Sequence, residues 1–207
     1  MSLLHKLFYS IKVRIFILSH HVDYCSQLMP LTGNNISQLE NLQRNYLRKI
    51  FNLKDMSYWQ RLKTCQMLSQ ERRIERYKMI YIWKILEKMV PNCGIETSEN
   101  LRFGRLCKVP PIKKCSAKIE SLRENSFQVK GPQLFNILPP KIRKMTRCSI
   151  EDFKTELDNF LSKIPDEPNV SGGQYTPRAC NQTTGKPSNS VTDQVRTLNI
   201  GGALIGG

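Results

Sequence analysis

The chain has 207 residues, 40% of them hydrophobic, with 32 Lys and Arg against 17 Asp and Glu for a net charge of +15. That length makes one ordinary domain with a tail, or two small ones, and the apolar share permits a core with little to spare. The positive excess lies wholly in residues 1–164, because Arg178, Lys186 and Arg196 balance Asp166, Glu167 and Asp193 beyond them; it favours polyanions, chiefly nucleic acid, and equally suits a solvated basic surface.

The amino terminus carries an apolar stripe of Leu4, Leu7, Phe8, Ile11, Ile15, Leu18 and Val22 at helical spacing. Lys6, Lys12 and Arg14 interrupt it, and no small-residue cleavage site follows, so it reads as a packing helix rather than a membrane span or signal peptide. A basic helix lying on a membrane surface is the minor alternative. Pro30 and Gly33-Asn34 mark a loop, and Asn35 to Gln38 has the form of a capping box. Ile36, Leu39, Leu42, Tyr46 and Ile50 then form a predicted buried stripe, with Arg44 and Arg48 on the opposite side.

Ser57 with Gln60 marks a second helix start, and Ser69 caps the longest predicted helix, which runs to about Val90 before Pro91. Its first turns hold Arg72, Arg73, Arg76 and Lys78. Its later turns hold Met79, Ile82, Trp83, Leu86 and Val90, with Tyr81, Ile85 and Met89 beside them. That arc is wider than one contact needs, and implies a central helix or a partner outside the chain.

Between Arg102 and Arg147 stand twelve basic residues against Glu120 and Glu124, and prolines at 110, 111, 132, 139 and 140 argue against a long helix. The segment reads as an irregular connector with short helices or strands. Ser149 to Asp152 is a further capping box, opening a helix whose Ile150, Phe153, Leu157, Phe160, Leu161 and Ile164 share roughly a 100° arc. From Pro165 on, Gly and Pro supply 11 of 43 residues, so a disordered tail is expected.

Chemistry-bearing motifs are scarce. The cysteines at 25, 65, 93, 107, 115, 148 and 180 are odd in number and form no CxxC pair, which favours reduced thiols in an intracellular protein, cytoplasmic or nuclear. His20-His21 with Cys25 lacks the ligands to complete a metal site, His5 is the only other histidine, and no Ser/His/Asp set can be assembled. The sequons at Asn35 and Asn181 carry no meaning without secretion, and the terminal GGALIGG is not a phosphate loop. The six aspartates are scattered rather than paired, as two-metal catalysis would need. No catalytic residue, metal site or cofactor is expected. The residues best placed for phosphate contact are Arg44, Arg48, Arg72, Arg73 and Arg76 on helices, with Lys113, Lys114, Lys141, Arg143, Lys144 and Arg147 in or near irregular segments.

Five stretches in order resemble one family: VDYCSQL at 22–28, LENLQRNYLRKIF at 39–51, YWQRLKTCQMLSQERRIERYKMIYIWKIL at 58–86, NSFQVKGPQLFNILPPKIRKMTRCSIEDFKTELDNFL at 125–161, and the IPDEP that follows. They are similar to the carboxy-terminal region of reverse transcriptases from non-LTR retrotransposons of the jockey-like class. Met29 and Phe135 stand where that family commonly has Trp. The resemblance implies thumb helices and a short post-thumb domain, without the palm aspartates or the endonuclease. It also implies that Met1 is an internal start in a truncated or decayed element copy. A mainly α fold is expected: a helical thumb-like region over 1–90, a basic irregular connector over 91–148, a helix over 149–164 packed on the body, and a disordered tail over 165–207. The function implied is template–primer binding, on RNA or an RNA–DNA duplex, with no enzyme activity in the isolated chain and no membrane partner. Met79, Ile82, Trp83, Leu86 and Val90 would face the missing palm. The alternative is a helical protein–protein interaction module.

Overall fold

Ser57, Ser69 and Ser149 start helices in the computed structural model of the chain, as their spacing predicts. Ser57 Oγ accepts from the Gln60 amide at 3.2 Å while Gln60 Oε1 accepts from the Ser57 amide at 2.8 Å. Ser149 and Asp152 form the same reciprocal box, and Ser69 Oγ accepts from the Arg72 amide. The structure describes residues 33–51, 56–100, 104–112, 116–167, 190–192, 194 and 195. The predicted stripe over residues 4–22, the three histidines, Lys113 and Lys114 lie outside them, as do Cys25, Cys115 and Cys180.

The described fold is mainly α. Its elements are α1 (Gly33–Phe51), α2 (Tyr58–Cys65), α3 (Gln70–Leu86), β1 (Thr97–Asn100), β2 (Gly104–Cys107), α4 (Ala117–Glu124), α5 (Phe127–Ile137), α6 (Pro140–Arg143) and α7 (Ile150–Leu161). The two strands pair antiparallel, with Thr97 opposite Cys107 and Asn100 opposite Gly104.

Helix α3 is the axis of the main core. Helix α5 crosses it at Gly131, where an added Cβ would lie 3.0 Å from Ile82 Cδ1, so glycine sets how closely the two backbones approach. Phe153 of α7 stacks on Trp83 with centroids 4.7 Å apart and planes 13° apart. The indole N–H donates to the Met145 carbonyl at 2.9 Å, so the polar atom of this buried ring is satisfied. Ile95, Cys107, Leu134, Phe135, Leu138 and Ile142 complete the cluster. A smaller cluster of Leu47, Tyr58, Leu62 and Cys65 joins α1 to α2.

Several expectations change. Helix α3 ends at Leu86 rather than near Val90, because Lys88 turns left-handed at φ 59. The Met89 amide then bonds the Lys84 carbonyl and the Lys88 amide the Ile85 carbonyl, which is a Schellman stop. Pro132 lies inside α5. Gly131 before it lacks the Cβ that supplies part of the usual clash between a proline ring and the preceding residue. Segment 91–148, expected as a connector, therefore supplies much of the main core.

Helix α1 begins at Gly33, so Asn35 sits within its first turn rather than ahead of it. Its orientation also differs from the predicted stripe: Gln43 and Leu47 are buried while Leu42 is 64% exposed. Polar contacts to α2 and α3, described below, turn it that way. Finally, parts of the segment beyond Pro165 are packed. Val191 is fully buried in the main core, and Ser190, Thr192 and Gln194 are buried beside it.

Candidate nucleic-acid interface

The amino-terminal turn of α3 could in principle hold a phosphate, but the chain's own carboxylates fill it. Asp166 accepts from the Ser69 amide and hydroxyl, both at 2.6 Å, and Glu40 accepts from the Gln70 amide at 2.8 Å. Arg72, next along, is buried, with Nη2 donating to the Pro165 carbonyl at 2.8 Å and Nε 3.6 Å from Asp166. It cannot reach a phosphate backbone. Arg76 is held by a two-pronged pair to Asp158 on α7, at 2.5 and 2.7 Å, and that carboxylate keeps its pKa raised. Arg73 is half-buried on the same helix.

Arg143 is buried too, donating through Nε to the Leu138 carbonyl at 2.8 Å, and desolvation lowers its pKa. Arg44 is half-buried with its guanidinium 4.8 Å over the Tyr58 ring. Arg72, Arg76 and Arg143 are thus structural cations rather than phosphate ligands. They satisfy local carboxylates and carbonyls that the sequence does not mark as neighbours.

Among the described residues, four predicted cations remain exposed: Arg48, Lys141, Lys144 and Arg147. Lys141 pairs with Glu156 at 3.1 Å across an open surface, a contact that solvent weakens. Lys144 and Arg147 flank the loop after α6, where β2 and the end of α3 meet. Arg105 of β2 fixes this corner. Its guanidinium donates to the carbonyls of Arg143 at 3.2 Å and Met145 at 2.6 Å, and pairs with Glu87 at 2.5 Å. The other oxygen of Glu87 accepts from the Arg147 amide at 2.9 Å. Gly104 passes so close that a Cβ there would meet Lys144 Cγ at 2.8 Å. Lys88, exposed at the end of α3, adjoins the same corner; sequence reasoning named Lys144 and Arg147 but missed Lys88 and Arg105, which lie far from them along the chain.

The face expected to dock on a palm is not available. Met79, Ile82 and Trp83 are fully buried, and Leu86 and Val90 pack half-buried on the same cluster. Helices α5 and α7 of this chain cover the arc.

Two buried polar centres lie beyond the predicted residues. Glu40 of α1 accepts a short hydrogen bond from the Tyr58 hydroxyl; Gln43 donates to the same hydroxyl at 3.2 Å and to the Leu68 carbonyl at 3.1 Å, and Gln70 donates to Gln43. Burial raises the pKa of both Glu40 and Tyr58. On α3, Glu75 is fully buried, accepting from the Ser190 hydroxyl at 2.5 Å and the Val191 amide at 2.8 Å. Burial raises its pKa, opposed by those two donors and by Arg72. Lys78, also fully buried, is lowered by desolvation to about 8. A signal for these residues exists: Arg72, Glu75, Met79, Ile82 and Leu86 fall on one helical face, so charges sit on the apolar stripe itself.

Among the described residues, no group of three or more His, Cys, Asp or Glu side chains is placed to hold a metal ion. Cys65, Cys93, Cys107 and Cys148 form no disulfide among the described residues, and burial pushes Cys107 up to about 11. No described helix is long and apolar enough to cross a membrane. Comparison with known proteins returned no match to a protein-family model, a curated protein or a solved structure.

Proposed function

We propose that the chain is a nucleic-acid-binding helical module, the thumb and post-thumb piece of an RNA-directed DNA polymerase from a mobile element, gripping template–primer by its backbone while chemistry is done elsewhere. The observation that supports this reading is the corner of Lys88, Lys144 and Arg147. The acid that reaches into it, Glu87, is already paired with Arg105, so the exposed cations there are not offset by that carboxylate. The resemblance supplies the polymerase context, and the net charge of +15 supplies the long-range attraction. An intracellular location, cytoplasm or nucleus, goes with it.

Fluorescence anisotropy with an RNA–DNA duplex across a salt series tests the proposal. Affinity should fall steeply from low to physiological salt, and Lys144→Ala with Arg147→Ala should reduce the slope of log K against log salt by about 1–2. Binding that is absent, or indifferent to both salt and these substitutions, overturns the reading.

One observation favours the protein-interaction alternative. Helix α4 buries none of its residues, and Ile119 and Leu122, three apart, are 47% and 43% exposed. Ile119→Lys with Leu122→Lys should leave duplex binding intact if the corner is the nucleic-acid site.

A further inference from the structure

Lys144 is held at both ends of its backbone and along its stem. Its amide closes α6 on the Pro140 carbonyl at 2.9 Å, and the Arg105 guanidinium takes the carbonyls on either side of it, those of Arg143 and Met145. With the chain pinned before and after, the direction in which the side chain leaves is set. The stem then crosses β2 at Gly104. A Cβ there would lie 2.8 Å from Lys144 Cγ, 3.6 Å from its amide nitrogen and 3.7 Å from Cε, so the stem runs along a bare Cα from Cγ to Cε. Gly104 stands opposite Asn100 in the hairpin at φ 74, a left-handed backbone that glycine adopts without steric cost.

The ammonium at the end of that stem is left for something else. Lys141, on the same short helix, spends its charge on Glu156, whereas Lys144 is exposed and has no carboxylate within ion-pair distance among the described residues. A long side chain whose inner part is already seated gives up less rotamer freedom when its head is engaged. We propose that Gly104 is a positioning residue for nucleic-acid binding, its bare Cα being the floor that aims Lys144 at a phosphate, so that the β-hairpin belongs to the interface although it brings no cation to it at that position. This inference rests on the proposed function and names the part of the fold that directs one of its contacts. Any side chain at 104 would lift the Lys144 stem and send its charge elsewhere.

Two measurements on the full chain test it. Without any substitution, strong nuclear Overhauser contacts are expected between the Lys144 γ-methylene and the Gly104 α-protons, and their absence overturns the seat. Anisotropy with the RNA–DNA duplex across a salt series then reads its use. Lys144→Ala should reduce the slope of log K against log salt by about 1. Gly104→Ala should reduce it as much, and adding it to Lys144→Ala should reduce it no further, whereas Arg147→Ala should have its own effect of about 1 with or without Gly104→Ala. Gly104→Asn brings the same Cβ on a residue that tolerates the left-handed backbone, so it should repeat the result and separate the contact from strain. A slope unmoved by both Gly104 variants, or a Gly104 effect that persists undiminished in Lys144→Ala, overturns this inference alone. No binding by the unmodified chain overturns the functional reading and this inference with it. Should both Gly104 variants fail to fold, the Overhauser contacts decide.

Discussion

The two apolar clusters of this chain are assembled on different principles. The main core closes apolar on apolar, with Phe153 flat on Trp83 and Gly131 letting α5 press against Ile82. Among the described residues the smaller cluster under α1 and α2 buries Leu47, Tyr58, Leu62 and Cys65, with Tyr46, Trp59 and Met67 packed on it, and is tied to α3 by Glu40, Gln43 and Gln70. A dry seam tolerates no loss of volume, whereas a polar seam fails when one acceptor is removed. The first should set global stability and the second should set where the chain opens first.

The sharpest way to break that contrast is Trp83→Ala. It should lower unfolding free energy in urea by about 3–5 kcal/mol, with fluorescence and circular dichroism moving together. A smaller, local effect is expected from Glu40→Ala, which strips the Tyr58 hydroxyl and the Gln70 amide of their acceptor: about 1–3 kcal/mol. Hydrogen exchange should show it as faster opening of α1 while α7 stays protected, and a uniform acceleration would mean that the two clusters form one cooperative unit.

The third prediction concerns a buried charge on α3, the helix both clusters share. Lys78 has a folded pKa lowered to about 8 from an ordinary 10.5 by burial. Between those values the unfolded chain binds the extra proton, so this group makes stability rise with pH from about 8 toward 10.5, by at most about 1.4 kcal/mol per pH unit. Urea midpoints at pH 7.5 and 9.5 should therefore rise in the native chain and stay flat in Lys78→Met. Smallest is Lys88→Gly, which removes a side chain from the left-handed stop of α3 and should gain about 1 kcal/mol by thermal denaturation.

Serine caps at 57, 69 and 149 and the α7 stripe were legible because each is a local rule between residues a few places apart. The apolar face of Met79, Ile82 and Trp83 was legible too, but it read as a docking face for a missing palm, whereas the chain buries it itself. Periodicity shows that a face needs covering and says nothing of what covers it. Here the cover comes from α5, hidden behind a proline that reads as a helix breaker, and from α7. The polar contacts of Glu40, Arg72, Glu75 and Arg105 join residues from 18 to 116 positions apart, and hydrogen bonds leave no periodic trace. That is why Arg72 and Arg143 read as surface cations, and why Leu42 read as core.

Arg105 carries a consequence for anything that meets the corner beside it. With its fork committed to Glu87 and to the carbonyls of Arg143 and Met145, and with Glu87 accepting from the Arg147 amide, the loop bearing Lys144 and Arg147 is clamped from beneath at three points. The backbone under those two cations is ordered when the chain folds, so an arriving phosphate backbone has only side-chain rotation left to freeze. A partner would meet a rigid mount, with specificity set by the spacing of its charges rather than by the loop's ability to adapt.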